Sequence, residues 1–146
     1  MTETEFRLKH SELIEYYQLI EMRLKDIFAS LCAENEKDFL KFHNQVKRQS
    51  LNKLIKRVRE KIETHPYKCL SKEEFDQLDR IKTRRNYWCH QCFPVDYVGD
   101  QPVVFVRGKT PDERVVNISQ YADDIESDLQ DAIKWDDQLT NIYNSI

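Results

Sequence analysis

Arg84-Arg85-Asn86-Tyr87-Trp88-Cys89-His90-Gln91-Cys92-Phe93 puts more reactive side-chain types into one short span than any other part of this chain. The run closes a predicted third long helix, which opens with the capping pattern Ser71-Lys72-Glu73-Glu74 and is stopped by Pro94. At about 100° per residue, Leu78, Ile81, Trp88, Cys89 and Cys92 all fall within roughly 60° of Arg85. The arginine therefore sits in the middle of an apolar stripe. A guanidinium cannot shed its charge, so such a position demands a carboxylate, a phosphate or a cluster of carbonyls nearby. Asn86 and His90 lie on one flank of the stripe, a turn apart, where they can share a ligand. Two readings are open. In the plainer one, Arg85 pairs with a buried acidic residue, such as one on the first helix, and His90 caps the helix end, where an imidazolium is favoured. In the other, the three residues form a site at the edge of a packing surface.

An arginine, a polar residue directly after it and a histidine a few positions on, near a helix end, resemble the signature of the HEPN superfamily. Here the matching residues are Arg85, Asn86 and His90, with four residues between arginine and histidine. HEPN domains are small and all-helical, and many are metal-independent ribonucleases or toxins. Many members have a tyrosine two positions after the histidine, where this chain has Cys92. The departure bears on regulation through that tyrosine and leaves the arginine and histidine in place. What the resemblance implies is an endoribonuclease needing neither metal nor cofactor, in which two copies of the motif meet across a homodimer to form one cleft. It also implies a setting: growth arrest or phage defence, with a nucleotidyltransferase-like antitoxin as a candidate partner.

The chemistry expected of such a site follows from the side chains. His90 is the group nearest neutrality and would act as general acid or base toward the ribose 2′-hydroxyl or the leaving 5′-oxygen. Arg85 would hold the scissile phosphate with its planar fork, and Asn86 would orient one or the other. With the 2′-hydroxyl as internal nucleophile, the product would carry a 2′,3′-cyclic phosphate. Two other classes compete. Cys89-His90-Gln91-Cys92, with Cys69 in the preceding loop, has the ligand types of a zinc site; on the apolar stripe of a helix, however, cysteine is ordinarily small core filler. A cysteine nucleophile with His90 as base is disfavoured, since adjacent side chains on a helix diverge. The remaining class is a dimeric, non-catalytic interaction or nucleotide-binding module, for which an intact Arg85, Asn86 and His90 set has no chemical purpose.

The elements that must position these residues are helical. A chain of 146 residues that is 34% charged, with two glycines and four prolines, favours one all-α domain spanning residues 1–146. A first helix is predicted from about His10 to Ala33, since Leu13, Tyr17, Ile20, Leu24, Ile27 and Leu31 alternate spacings of four and three. A second helical region runs from Glu36 to about Thr64, with a kink or break near Arg48 to Ser50, and ends at His65-Pro66. Between Phe93 and Asn117 the helical period disappears. There Pro102-Val103-Val104-Phe105-Val106 and Arg114-Val115-Val116 flank a turn at Arg107 to Asp112, predicting a short hairpin or extended excursion. A last helix from about Ser119 to Asn144 completes an up-and-down bundle of four to five helices.

Charge is segregated along this plan. Lys41, Lys47, Arg48, Lys53, Lys56, Arg57, Arg59 and Lys61 crowd the second helical region, opposed between Lys41 and Lys61 only by Glu60, and Lys82, Arg84 and Arg85 are expected to extend the patch. Such a patch reads either as a solvated basic helix face or as a phosphate-tracking surface, and in the second reading Lys53, Lys56, Arg57 and Arg84 are the expected RNA contacts. The acid collects at the other end, in residues such as Asp123, Asp124, Asp128 and Asp136, so a formal net charge of -3 does not exclude a polyanionic partner. The residues Met1 to Glu5 lack the basic and apolar regions of a signal peptide, and no window approaches a membrane span. Cys32, Cys69, Cys89 and Cys92 then read as reduced thiols of a cytoplasmic protein.

Overall fold

Thr2 and Glu5 start the chain's first element by capping each other. The Glu5 N–H donates to the Thr2 hydroxyl at 3.1 Å, and the Thr2 N–H donates to the Glu5 carboxylate at 2.8 Å. A computed structural model describes residues 1–90, 95–105 and 115–146. The helix launched by this cap, α1 (Glu3–Cys32), begins well before the expected His10, because Thr2-x-x-Glu5 is a start signal. Its seam is the predicted one, extended at one end by Phe6 and accompanied by Phe28.

The predicted stumble between Val46 and Leu51 is a full break. Helix α2 (Glu36–Val46), capped by the Asn35 side-chain carbonyl on the Asp38 N–H, is followed after residues 47–50 by α3 (Leu51–Thr64). Helix α3 buries Leu51, Leu54, Ile55, Val58 and Ile62 along one stripe. Beyond its end, Lys68 Nζ donates to the free carbonyls of Ile62 and Glu63 at 2.6 and 2.9 Å, a cation placed where the helix dipole favours it. Ser71 and Glu74 make a second reciprocal cap that opens α4 (Lys72–His90). The excursion is larger than a single hairpin. It is an antiparallel meander of β1 (Val95–Val98), β2 (Gln101–Phe105) and β3 (Val115–Asn117) in the order β1-β2-β3, with Val95 opposite Val104 and Val104 opposite Val116. The β1–β2 turn needs Gly99, at φ 62°, a conformation that an L side chain resists. The predicted Arg107 to Asp112 turn and the Pro94 stop lie outside the described residues. Helix α5 (Ile118–Ser145) ends the chain's regular structure.

Cross-links fix the direction of each helix. Lys9 with Glu126 and Arg23 with Asp136 run in step, so α1 and α5 are parallel. His10 against Trp88 and Glu21 against Arg85 oppose α4 to α1, as Asn52 with Lys82 and Arg59 with Asp79 oppose α4 to α3. Asp26 with His43 and Phe28 beneath Arg57 tie α2 and α3 to α1. The described residues thus go up and down in sequence order as an all-helical bundle of five helices, with the meander before the last. Among them no helix is long and apolar enough to cross a membrane. At the α1–α4–α5 junction Trp88 is wholly buried, edge-on to Tyr121 at 6.2 Å and tilted against His10 at 6.0 Å. His10 Nε2 lies 3.0 Å from the Trp88 carbonyl, which can only accept, so this nitrogen bears the proton.

Candidate functional site at the end of helix α4

Leu78, Ile81 and Trp88 are buried on the α4 stripe predicted to contain Arg85, and Arg85 itself is 24% exposed in its side chain. The demand for a counter-charge is met by α1: Glu21 Oε1 lies 3.3 Å from Arg85 Nη2, with the Glu21 side chain 19% exposed. Arg85 Nη1 also donates to the Asn86 side-chain oxygen at 3.4 Å. Both contacts are long beside the roughly 2.7–2.9 Å of a close charge-assisted bond. A guanidinium has five N–H donors, so Glu21 and Asn86 orient the group and leave most of its donors over. Asn86 is exposed beside it. His90 is the last residue of α4, one turn past Asn86 on the same flank. The placement of its side chain lies outside the described residues, as does Cys92.

Cys89 departs from expectation. It is exposed rather than core, because Trp88 and the Glu21–Arg85 pair occupy the contact with α1 and leave the thiol at the rim. Cys32 and Cys69 are free and half-buried, and burial pushes both thiols up from their ordinary value, away from the reactive thiolate. Among the described residues no group of three or more His, Cys, Asp or Glu is arranged to hold a metal ion.

Neighbouring Arg84 faces the opposite way. Its Nε donates to Asp128 Oδ2 at 2.7 Å, the oxygen that also takes the Trp88 indole N–H at 2.7 Å, and its guanidinium lies over the Tyr87 ring at 4.8 Å. One helical step of about 100° separates it from Arg85 and turns it to α5. It therefore does not extend the basic patch of α3. It borders instead a groove of about 540 Å³ between α4 and α5, shared with Arg80, Lys134 and Trp135. The Tyr17 hydroxyl is buried and has no hydrogen-bond partner among the described residues; burial, reinforced by the charge of Asp128, raises its pKa.

The basic region of α2 and α3 is sorted by structure into spent and unspent charges. Arg59 is engaged with Asp79 at 3.1 Å and stacks over Phe75, and Lys82 shares the same carboxylate at 3.7 Å. Lys82 also reaches Asn52 at 3.4 Å, so it joins α4 to the patch as expected. Lys53 and Lys56 are exposed, and Arg57 lies over the Phe28 ring at 5.6 Å; none of the three has a carboxylate partner among the described residues. Two residues bordering this region, Glu21 and Lys25, were not singled out from sequence. Glu21 and Lys25 are one turn apart on the flank of the α1 seam. Acid and base there look like ordinary solvated positions until α4 and the 47–50 link are seen to cover them.

Compared with protein-family models, with curated proteins and with solved structures, the chain has no significant match in any of the three.

Proposed function

We propose that this protein is a metal-independent endoribonuclease of the HEPN type, working as a homodimer on RNA. The observation that supports this reading best is Arg85: a guanidinium on an otherwise apolar helix face, oriented by Glu21 and by Asn86, itself one turn from His90, yet still part-exposed. In this reading one imidazole removes the proton from the 2′-hydroxyl and the 2′-oxygen attacks phosphorus. The bond from phosphorus to the 5′-oxygen breaks, and a second imidazole returns a proton to that oxygen. The products are a 2′,3′-cyclic phosphate and a 5′-hydroxyl. Arg85 offsets the charge that grows on the phosphoryl oxygens, and Asn86 steadies the arginine or the histidine. One histidine per motif cannot easily serve as both acid and base in a single step, which is why the reading calls for a second copy of the chain. Growth arrest or phage defence, a nucleotidyltransferase-like antitoxin and a cytoplasmic setting belong to the same proposal.

The second reading is a non-catalytic dimeric module. The Glu21–Arg85 pair favours it, because an ion pair across two helices is also what a purely structural arginine would make. Cleavage of a mixed RNA pool in excess EDTA, wild type against His90→Ala, with oligomeric state followed by light scattering, separates the two. Cutting by the wild type alone, with cyclic-phosphate ends and both proteins dimeric, is the expected result. Two dimers that both leave the pool intact would favour the module.

A further inference from the structure

Several of the cations that have no carboxylate partner among the described residues meet at one corner of the basic region. Lys25 Nζ donates to the Lys47 carbonyl at 2.9 Å, which places this α1 lysine at the corner where α2 turns into α3. Lys47 and Arg48 are exposed in that corner, and Lys53 is exposed in the first turn of α3. Lys25 is also one turn beyond Glu21, so about 5–6 Å separates their Cβ atoms, and Glu21 touches Arg85. The nearby acids are occupied: Asp26 by His43 at 3.2 Å, Asp79 by Arg59 and Lys82, and Glu21 by Arg85 itself. Glu60 lies about two turns further along α3. The α5 carboxylates that pair with α1, Glu126 and Asp136, meet it on its other side.

We propose that Lys25, Lys47, Arg48 and Lys53 form a phosphate track that holds a single RNA strand as it leaves Arg85. The role of the track in cleavage rests on the ribonuclease reading, whereas its existence does not. An ammonium carries three donors, and Lys25 uses one on Lys47, so two remain for a phosphate. A run of cations on one side, with acid on the other, steers a polyanion to that side and sets its direction from the reacting centre. Single strands suit the track because their phosphates can follow a corner that a stiff duplex cannot.

The probe is a short single-stranded 2′-O-methyl RNA, which keeps the phosphates and lacks the nucleophile, so binding is read whether or not the protein cuts. Arg48→Gln/Lys53→Gln alters two exposed residues and should weaken binding at least tenfold. It should also flatten the slope of log K against log salt by about 1.4, since each phosphate of a single strand that is no longer neutralised removes about 0.7. Lys25→Gln should act in the same direction, with thermal melting to confirm that the α2–α3 corner is intact. Arg80→Gln/Lys134→Gln, in the α4–α5 groove, should stay within about twofold of wild type. Equal weakening in the groove variant, an unchanged slope in the track variant, or a wild type that does not bind would each overturn the track. Track-dependent binding by a protein that cuts no RNA would instead remove the nuclease reading and leave the track standing.

Discussion

At the scale of single residues, Glu21 and Arg85 separate the structural role from the chemical one. Both are largely buried, so truncating either leaves a charge partly out of water without its partner, at a cost of about 1–3 kcal/mol. Removing both should cost less than the sum of the single losses, a coupling that a double-mutant cycle on thermal denaturation reads directly. If Arg85 also stabilises a phosphorane-like transition state, Arg85→Ala and the Glu21→Ala/Arg85→Ala double variant should be equally inactive, although the double variant is better folded. Activity that instead tracks stability across the cycle would make the pair structural. His90→Ala should lower the cleavage rate by about 10²- to 10⁴-fold with the melting temperature unchanged. A variant that cuts as fast as wild type would exclude the imidazole. The need for an acceptor opposite Arg85 was legible in the sequence, since a guanidinium on an apolar stripe keeps its charge and must find one. Its identity as Glu21 was not, because a glutamate beside a seam has the pattern of any solvated position.

At the scale of elements, the same division holds between local signals and tertiary ones. The break between Val46 and Leu51 could be read from a lapse in spacing, and the α4 start from Ser71-x-x-Glu74, because both are written in adjacent residues. The Thr2-x-x-Glu5 cap is equally local and extends α1 beyond its first strongly periodic residue. Strand β1 was not legible: its four residues gain their partners from β2, and short strands depend on context more than on propensity. The facing of Arg84 was missed for a similar reason, since only α5 supplies Asp128. Asp128→Ala should therefore strip a shared acceptor from Arg84 and the buried Trp88 indole and destabilise the bundle by about 2–3 kcal/mol, while Arg84→Ala costs less, as its side chain is 37% exposed. Equal melting temperatures for the two variants would mean that the indole does not need its acceptor. The α1 seam adds a pH prediction. Burial raises the Tyr17 pKa, as it does that of Tyr121, so the folded form keeps phenols that the unfolded chain ionises near pH 10. Their stabilisation is complete below that value and is lost as pH rises above it. Tyrosinate absorbance, compared with that of Tyr17→Phe and Tyr121→Phe, should show these two phenols titrating late and together with unfolding; ionisation of either near pH 10 in the folded protein would contradict the burial.

At the scale of the whole molecule, the bundle sets up a polarity that the net charge conceals. Its first and last helices run parallel, with α5 supplying carboxylates to one side of α1, and α2 and α3 placing unspent cations on another. Reversing Lys53, Lys56 and Arg57 should accordingly weaken RNA affinity and its salt dependence, whereas reversing the same number of α5 carboxylates should not. Such a face can lead a strand to Arg85, but within one chain the strand meets only one motif. If catalysis needs a motif from each of two chains, wild-type subunits should be poisoned by inactive ones. Adding an excess of His90→Ala protein, and allowing subunits to exchange, should draw wild-type chains into mixed dimers and lower the activity per wild-type chain several-fold. If each chain holds a complete site, the same mixture cuts in proportion to the wild type it contains. Dilution supplies the matching control, since a dimer-dependent site loses specific activity as the dimer dissociates and regains it when the protein is concentrated again. Insensitivity both to the inactive partner and to dilution would confine the chemistry to one chain, and His90 would then need a second proton donor from within its own bundle.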